Sequence, residues 1–312
     1  MSRYVISRLG YMLFTFFLIV TLTFFLMQTL PGSPFNDEQL SETQKEILYQ
    51  RYSLDAPLSI QYLKYLGNIA TGDFGVSFQF DGRPVTNILY DRIGASAVLG
   101  AQSIIVGTII GILLGIIAAL KHNTILDYGS MFLAVLGLSI PNFVFAGLLQ
   151  YWVGVKLKWL PVAFWGGFEY SILPTIALSA FVIATIARYM RTEMLDVMGQ
   201  EYINTARAKG VKSWKIVYKH GLRNSLIPII TISGPLIVHL MTGTLVVEKI
   251  FSIPGLGEQF VESIMTNDYP VIMGVTLFFS LLFITVIFIT DLLYGVIDPR
   301  IRLSGGNNHG NS

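Results

Sequence analysis

Residues 199–228 read GQEYINTARAKGVKSWKIVYKHGLRNSLIP, and this stretch stands out because the chain on either side of it is strongly apolar. Its acid, Glu201, is outnumbered by Arg207, Lys209, Lys212, Lys215, Lys219 and Arg223. Apolar and aromatic residues recur among these charges at spacings of three and four, which puts them on one face of a helix. The pattern predicts two short amphipathic helices that break at Gly210, where a helix end needs a residue that tolerates positive φ. On composition alone, a basic loop that only fixes membrane topology is an equal alternative.

The composition indicates a polytopic membrane protein. Of the 312 residues, 53% are hydrophobic and 13% are charged, whereas an average soluble domain has about 25% charged residues. The 21 Lys and Arg nearly balance the 19 Asp and Glu, so the net charge indicates neither a nucleic-acid partner nor an acidic substrate. The chain has no Cys and four scattered His, which predicts no disulfide and no metal site.

Six apolar segments are long enough to cross the ~30 Å of hydrocarbon in a bilayer. They cover residues 11–30, 97–120, 128–155, 172–190, 227–247 and 271–293. The third contains Ser139-Ile140-Pro141-Asn142, where proline removes a backbone hydrogen bond and predicts a kink. The bias of Lys and Arg in short loops places both chain termini and the basic stretch in the cytoplasm. We therefore expect an all-α protein with six transmembrane helices.

The order of these segments divides the chain into three parts. Residues 1–95 are expected to hold the first transmembrane helix and an external helical segment, and residues 96–298 the other five spans with the basic loop at about 199–226. Residues 299–312 form a short cytoplasmic tail. In the external segment, Ser41 with Gln44 predicts a capped helix, a second helix is expected over 58–70, and a turn over 72–75. Its aromatic residues are expected to pack on a neighbouring element.

Polar residues inside the apolar segments are candidates for a translocation pathway, because burying them in a bilayer is costly. The candidates we select are Asn142, Gln150 and His239. The alternative for each is an interhelical hydrogen bond, which contributes only ~0.6 kcal/mol on average.

No catalytic constellation is present in the sequence. The chain lacks a GxxxxGK[ST] phosphate-binding loop and a Gly-x-Ser-x-Gly elbow, and its His residues lie far apart. We therefore predict no catalytic residue, no cofactor site and no ATP site on this chain. A proton-coupled secondary carrier stays open as a second class of function, and an intramembrane enzyme as a third.

Several motifs together resemble one family. The run TARAKG at 205–210 followed by HGLRN at 220–224 resembles the cytoplasmic "EAA" loop of permeases in ATP-binding-cassette importers. VEKIFSIPGLG at 247–257 is similar to the VExxFxxPGxG signature of the B-type membrane subunit of oligopeptide and dipeptide importers. YSLDAPL at 52–58, GDFGVS at 72–77 and YGVIDPR at 294–300 resemble the same family. The matches span nearly the whole chain.

The basic stretch departs from the general pattern of the family's cytoplasmic loop at three positions. Asn204, Thr205 and Ala206 stand where the pattern has Glu-Ala-Ala. The resemblance therefore gives no salt bridge from that glutamate to an ATPase.

The resemblance implies the six-helix fold of importer permeases and a role in moving oligopeptides into the cell. It implies a heterodimer with a second, similar permease subunit, two cytoplasmic ATPase subunits and an extracellular lipid-anchored peptide-binding protein, in the plasma membrane of a Gram-positive bacterium. A dipeptide, nickel or glutathione permease is the alternative within the family, and no nucleic-acid partner is implied.

Two sets of residues carry these implied roles. The expected ATPase-coupling residues are Tyr202, Ala206, Arg207, Ala208, Lys209, Gly210, Trp214, His220 and Arg223. The expected external motif is Glu248, Phe251, Pro254, Gly255 and Gly257.

Overall fold

The computed structural model describes residues 2–29, 46 and 55–297, and each regular element in this part of the chain is a helix. In chain order they are α1 (Ser2–Gln28), α2 (Leu58–Ala70), α3 (Val85–Leu120), α4 (Ile125–Ser139), α5 (Asn142–Leu149), a π-helix (Gln150–Lys156), α6 (Glu169–Met198), α7 (Glu201–Ala208), α8 (Ser213–Ile216), a second π-helix (Val217–Leu222), α9 (Arg223–Phe251), α10 (Leu256–Met265) and α11 (Tyr269–Ile297). The predicted all-α class is confirmed. The helix predicted near Ser41 and the tail at 299–312 lie outside the described residues.

Within the described residues, four helices are long and apolar enough to cross a membrane, namely Val5–Gln28 of α1, α3, α6 and Tyr269–Leu292 of α11. Two bent pairs raise the number to six if each pair is one span. Ile125–Ser139 and Asn142–Lys156 meet at 103°, which confirms the break at Pro141. Ser213–Ile230 and Ile232–Met241 meet at 48°, in a helix that contains Pro228 and Pro235. Proline lacks an N–H and its ring clashes with the preceding turn, so it bends a helix.

The second span starts earlier than the apolar pattern predicts. The sequence placed its start at residue 97, but α3 begins at Val85. Val85, Ile88 and Leu89 have helical spacing and are buried in one cluster with Leu256, Val271 and Val275. These long-range contacts extend the helix through residues whose mixed polarity resembles a water-exposed segment.

The described residues form two compact units, which lie within residues 1–95 with 254–285 and within residues 96–253 with 286–312. In the first unit, α2 spans the residues predicted for it and packs its aromatic rings on α1. The ring centroid of Phe24 lies 5.3 Å from those of Tyr62 and Tyr65. The hydroxyls of Thr21 and Tyr62 are 2.7 Å apart. These contacts confirm for Tyr62 and Tyr65 that the aromatic residues of this segment pack on a neighbour.

A buried carboxylate joins two loops of the first unit. Asp268, which has no exposed surface, accepts hydrogen bonds from the Ser77 hydroxyl and from the Phe78 backbone N–H. The Ser77 oxygen in turn accepts from the N–H groups of Gln79 and Phe80. Burial raises the pKa of Asp268, and the hydrogen bonds from Ser77 and Phe78 offset part of that rise.

Glycines of α3 allow a close approach to α6 in the second unit. A Cβ atom added at Gly107, Gly111 or Gly115 would lie 2.6, 2.9 or 2.5 Å from the Cβ of Val182, Ile186 or Met190, respectively. The glycines recur every four residues, so they lie on one helix face. Small residues at such spacing let transmembrane helices pack backbone to backbone.

We expect Gly115→Ala to destabilise the protein by ~1–3 kcal/mol, the usual range for overpacking. The added methyl would lie 2.5 Å from the Cβ of Met190 and 2.7 Å from the carbonyl oxygen of Ala187. Gly100→Ala in the same helix is the matched control, because nothing lies within 4 Å of its added Cβ. Denaturation of the purified protein in mild detergent measures both, and equal midpoints for the two variants would contradict the close packing.

We expect the stability of the protein to depend on pH through the buried Asp268. Because the folded pKa of Asp268 is raised above its unfolded value, its contribution to stability is present below the unfolded pKa and is lost as pH rises through the folded pKa. Asp268→Asn keeps the shape and removes the titration, so the melting midpoint of the variant minus that of the wild type should increase from pH 4 to pH 7. Asp81→Asn, at an exposed position, is the control. A difference that does not change with pH would show that Asp268 does not titrate in this range.

Candidate functional site

The basic stretch folds into two helical pieces separated at Gly210. α7 ends at Ala208, and Gly210 has a φ of +74°. The N–H of Gly210 donates to the carbonyl of Arg207 at 2.9 Å, and the N–H of Val211 donates to that of Ala206 at 3.1 Å. These bonds satisfy the last carbonyls of α7 through a left-handed residue, which favours glycine. The predicted break at Gly210 is confirmed.

The second piece differs from the short separate helix that we predicted. α8 covers Ser213–Ile216 and continues without interruption through the π-helix 217–222 into α9. The sequence therefore underestimated its length, because the apolar residues that follow were assigned to a different helix. One continuous helical rod joins the basic stretch to a membrane segment.

The basic stretch presents aromatic and positively charged side chains outward. The side chains of Tyr202, Trp214 and Tyr218 are 43%, 63% and 69% exposed. We call the basic surface the set of exposed residues Tyr202, Arg207, Lys209, Lys212, Trp214, Lys215, Tyr218, Lys219 and Arg223. Ala208 and Gly210 are also exposed, while Ala206 and His220 are half-buried. All nine predicted coupling residues thus lie on or beside this surface.

Two isoleucines and one hydrogen bond hold the basic surface in shape. Ile203 and Ile216 are 0% and 1% exposed, so each helical piece buries one apolar anchor. The Nδ2 of Asn224 donates to the Tyr202 hydroxyl at 2.8 Å. These contacts fix the two helical pieces, while the rings of Trp214 and Tyr218 remain largely exposed.

A buried ion pair lies close to this region along α6. The Asp127 side chain is 1% exposed and accepts from Arg191, with Nε at 2.6 Å from Oδ1 and Nη2 at 2.8 Å from Oδ2. The N–H of Asn123 donates to Oδ2 at 3.0 Å, and His122 Nδ1 lies 3.1 Å from both Oδ2 and Arg191 Nη2. This bidentate pair fixes the first turn of α4 to α6. Sequence analysis missed it, although an acid in a largely apolar run was a signal.

The three pathway candidates have different surroundings. Asn142 follows the break at Pro141 and is half-buried. His239 is exposed in the middle of α9, and its ring stacks on Phe181 with centroids 3.9 Å apart. Gln150 donates from Nε2 to the carbonyls of Val162, at 2.9 Å, and Ile250, at 3.0 Å. The amide of Gln150 thus ties a loop to the end of α9.

The motif at 248–257 begins in the second unit. Glu248 has no exposed surface and accepts from the Ser96 hydroxyl at 2.7 Å. Phe251 is buried, and its carbonyl accepts from the N–H of Phe164 at 2.7 Å. The left-handed residue that ends α9 is Ser252, with a φ of +51°.

The rest of the motif belongs to the first unit. Gly255 is the N-cap residue of α10, and Gly257 is buried in the first turn of that helix. Pro254 precedes both of them and is half-buried. α10 begins at Leu256, directly after Gly255.

Comparison with known proteins gives consistent results. Residues 111–303 match the family model described as a binding-protein-dependent transport system inner membrane component. The chain is 46% identical over 303 residues to the dipeptide transport system permease protein DppB of Lactococcus lactis subsp. cremoris, covering 97% of this chain and 100% of that protein. It is 48% identical to DppB of Bacillus subtilis, covering 97% and 99%. It is 39% identical to the oligopeptide transport system permease protein OppB of Salmonella typhimurium, covering 97% and 100%.

Solved structures agree on the fold. The chain matches the inward-facing MetNI methionine ABC transporter with a TM-score of 0.59 and 16% identity, over 68% of this chain and 97% of that one. It matches an amino acid ABC transporter with a TM-score of 0.53 and 12% identity, over 67% and 93%. The predicted importer-permease fold is confirmed.

The ion pair between Asp127 and Arg191 generates a testable prediction. Arg191→Met leaves the buried carboxylate without its partner, and we expect a loss of stability of ~3–5 kcal/mol. Arg188→Met on the same helix is the control, because Arg188 is exposed. The double variant Asp127→Asn/Arg191→Met should lose less than the sum of the single variants, measured by denaturation in detergent. Additive effects would show that the two side chains do not interact.

Proposed function

The chain belongs to the family of binding-protein-dependent transport system inner membrane components, and from that premise we propose that it is the permease subunit of an ATP-binding-cassette importer that carries oligopeptides into the cell. It is a transport component and not an enzyme, and ATP hydrolysis belongs to partner subunits. Relatives named as oligopeptide permeases support this cargo at 39% identity. A dipeptide cargo is the second candidate, because the relatives at 46% and 48% identity are named as dipeptide permeases.

The observation that carries the proposal is the basic surface. Aromatic rings are enriched at the centres of protein interfaces, and surrounding charges steer association. Tyr202, Trp214 and Tyr218 supply exposed rings, and the Lys and Arg residues of the surface surround them. We propose that this surface docks on the ATPase subunits and transmits their movement to the membrane helices.

The remaining assembly follows from the family premise. We propose a heterodimer with a second, similar permease subunit, two ATPase subunits in the cytoplasm and an extracellular lipid-anchored binding protein that delivers the peptide. The positive-inside bias supports a cytoplasmic basic surface and cytoplasmic termini. Relatives from Lactococcus and Bacillus support the plasma membrane of a Gram-positive bacterium as the location.

The three pathway candidates have different proposed contributions. Asn142 adjoins the 103° break, and broken helices are tolerated in membranes where they face protein or a water-filled cavity. His239 is exposed and its ring stacks on Phe181, and its proposed contribution is a polar ring in an apolar part of the pathway wall. Gln150 already donates two hydrogen bonds to backbone carbonyls, and its proposed contribution is to hold the pathway walls. The motif residues Glu248 and Phe251 have the same supporting role through their buried contacts.

The docking role predicts the effect of a charge beside the exposed rings. Ala206→Glu places a carboxylate at a half-buried position of α7, and Gly210→Pro is incompatible with a φ of +74° and with the hydrogen bond of that N–H. We expect normal insertion of both variants and at least tenfold lower ATP-dependent uptake of a labelled pentapeptide. Uptake into proteoliposomes that contain the whole complex is the measurement, with a labelled dipeptide tested in parallel.

Ala70→Glu, at an exposed alanine that ends α2, is the matched control and should transport at the wild-type rate. Wild-type uptake by Ala206→Glu would exclude the coupling role. Uptake of the dipeptide without the pentapeptide would favour the second cargo.

A further inference from the structure

Within the basic stretch, the rod touches α6 at Gly221. This glycine lies in the π-helix 217–222 and is buried. A Cβ atom at this position would lie 3.2 Å from the Cε of Met194, 3.4 Å from its Sδ and 3.3 Å from the Sδ of Met198. Glycine therefore brings the backbone of the rod directly against two thioether side chains.

Met194 and Met198 are one helical turn apart and line the same face at the end of α6. Met194 has no exposed surface. Methionine is flexible and polarizable, so it keeps contact with a neighbouring surface in more than one arrangement. The backbone of Gly221 therefore packs on two flexible side chains, and we call this contact the seat of Gly221.

The contact is apolar throughout. Among the described residues, no hydrogen bond or ion pair joins residues 213–222 to α6. Movement of residues 213–222 along α6 would break no hydrogen bond or ion pair, while close contact prevents these residues from moving into α6. Such sliding of packed helices is one of the known forms of domain movement.

The same region of α6 also makes a contact of the opposite character. One turn before Met194, Arg191 makes its bidentate ion pair with the buried Asp127 of α4. A polar pair of this geometry is directional and resists sliding. The end of α6 therefore has one adaptable contact, towards the basic surface, and one fixed contact, towards α4.

We propose that the seat of Gly221 on Met194 and Met198 is the joint through which movement of the basic surface reaches α6. The proposal rests on the proposed coupling function and names the positioning residues for it. The π-helix 217–222 supports it, because π-helical turns within α-helices occur frequently at functional sites. Through the ion pair of Arg191, α4 then moves together with α6.

The test is a size series at position 221, measured in the whole importer complex in proteoliposomes. Gly221→Ala meets only the flexible ends of two methionines, so uptake should fall less than about twofold. Gly221→Val adds two more methyl groups and should lower uptake at least tenfold, while ATP hydrolysis per assembled complex stays within about twofold of wild type. The ratio of peptide transported to ATP hydrolysed reports the joint itself.

A compensating variant distinguishes a steric clash at position 221 from a general loss of folding. Met194→Ala removes the side chain that valine would strike, so Gly221→Val/Met194→Ala should recover uptake to within about threefold of wild type. Gly129→Val, at a helical glycine with nothing within 4 Å of its added Cβ, is the control for the substitution.

The outcomes distinguish this proposal from the function on which it rests. If the wild-type complex shows no ATP-dependent uptake, the importer function itself is wrong. If the wild type transports but Gly221→Val lowers uptake and hydrolysis in parallel, or the double variant fails to recover, the joint is wrong and the importer function stands.

Discussion

The second unit depends on the close approach of other helices to α6. Three glycines of α3 let its backbone pack against Val182, Ile186 and Met190, and Gly137 of α4 lies close to the Ala180 carbonyl, 2.9 Å from where its Cβ would be. In the apolar window of α6, 61% of residues are buried, against 17–33% in the other three long helices. Lipid tails offer no hydrophobic gain for helix association, so close van der Waals packing has to supply the attraction. In this unit, α3 and α4 both pack closely on α6.

Polar contacts add direction to this packing. The ion pair between Asp127 and Arg191 and the two hydrogen bonds of Gln150 each link segments far apart in the sequence. A buried carboxylate is costly unless paired and hydrogen-bonded, and Asp127 has both Arg191 and the N–H of Asn123. In the first unit, Asp268 plays a comparable part between two loops, with the Ser77 hydroxyl and the Phe78 N–H as donors. Each of these groups permits one arrangement of its neighbours, which non-directional apolar packing alone would not enforce.

The basic surface combines exposed rings with a helical connection to the membrane segment. Its buried anchors, Ile203 and Ile216, fix the two helical pieces, and its outer rings stay exposed. The helical segment from Ser213 to Phe251 connects that surface to the membrane segment without interruption, as the proposed coupling role requires. A flexible loop of the same charge would bind a partner but would not transmit its movement. The proposed coupling role therefore depends on the helical structure of the stretch as well as on its charge.

The sequence by itself determined the membrane class, the helical fold, the break at Pro141, the turn at Gly210 and the family. Each of these follows from local features: apolar length, the missing N–H of proline, the tolerance of glycine for positive φ, and contiguous motifs. Tertiary structure alone decided that α3 begins at Val85, that Arg191 pairs with Asp127, and that Gly221 rests on Met194 and Met198. It also decided that the amide of Gln150 is engaged with the carbonyls of Val162 and Ile250. The physical reason is that a local pattern specifies which face of a helix is apolar or polar, but the partner of that face comes from a distant part of the chain.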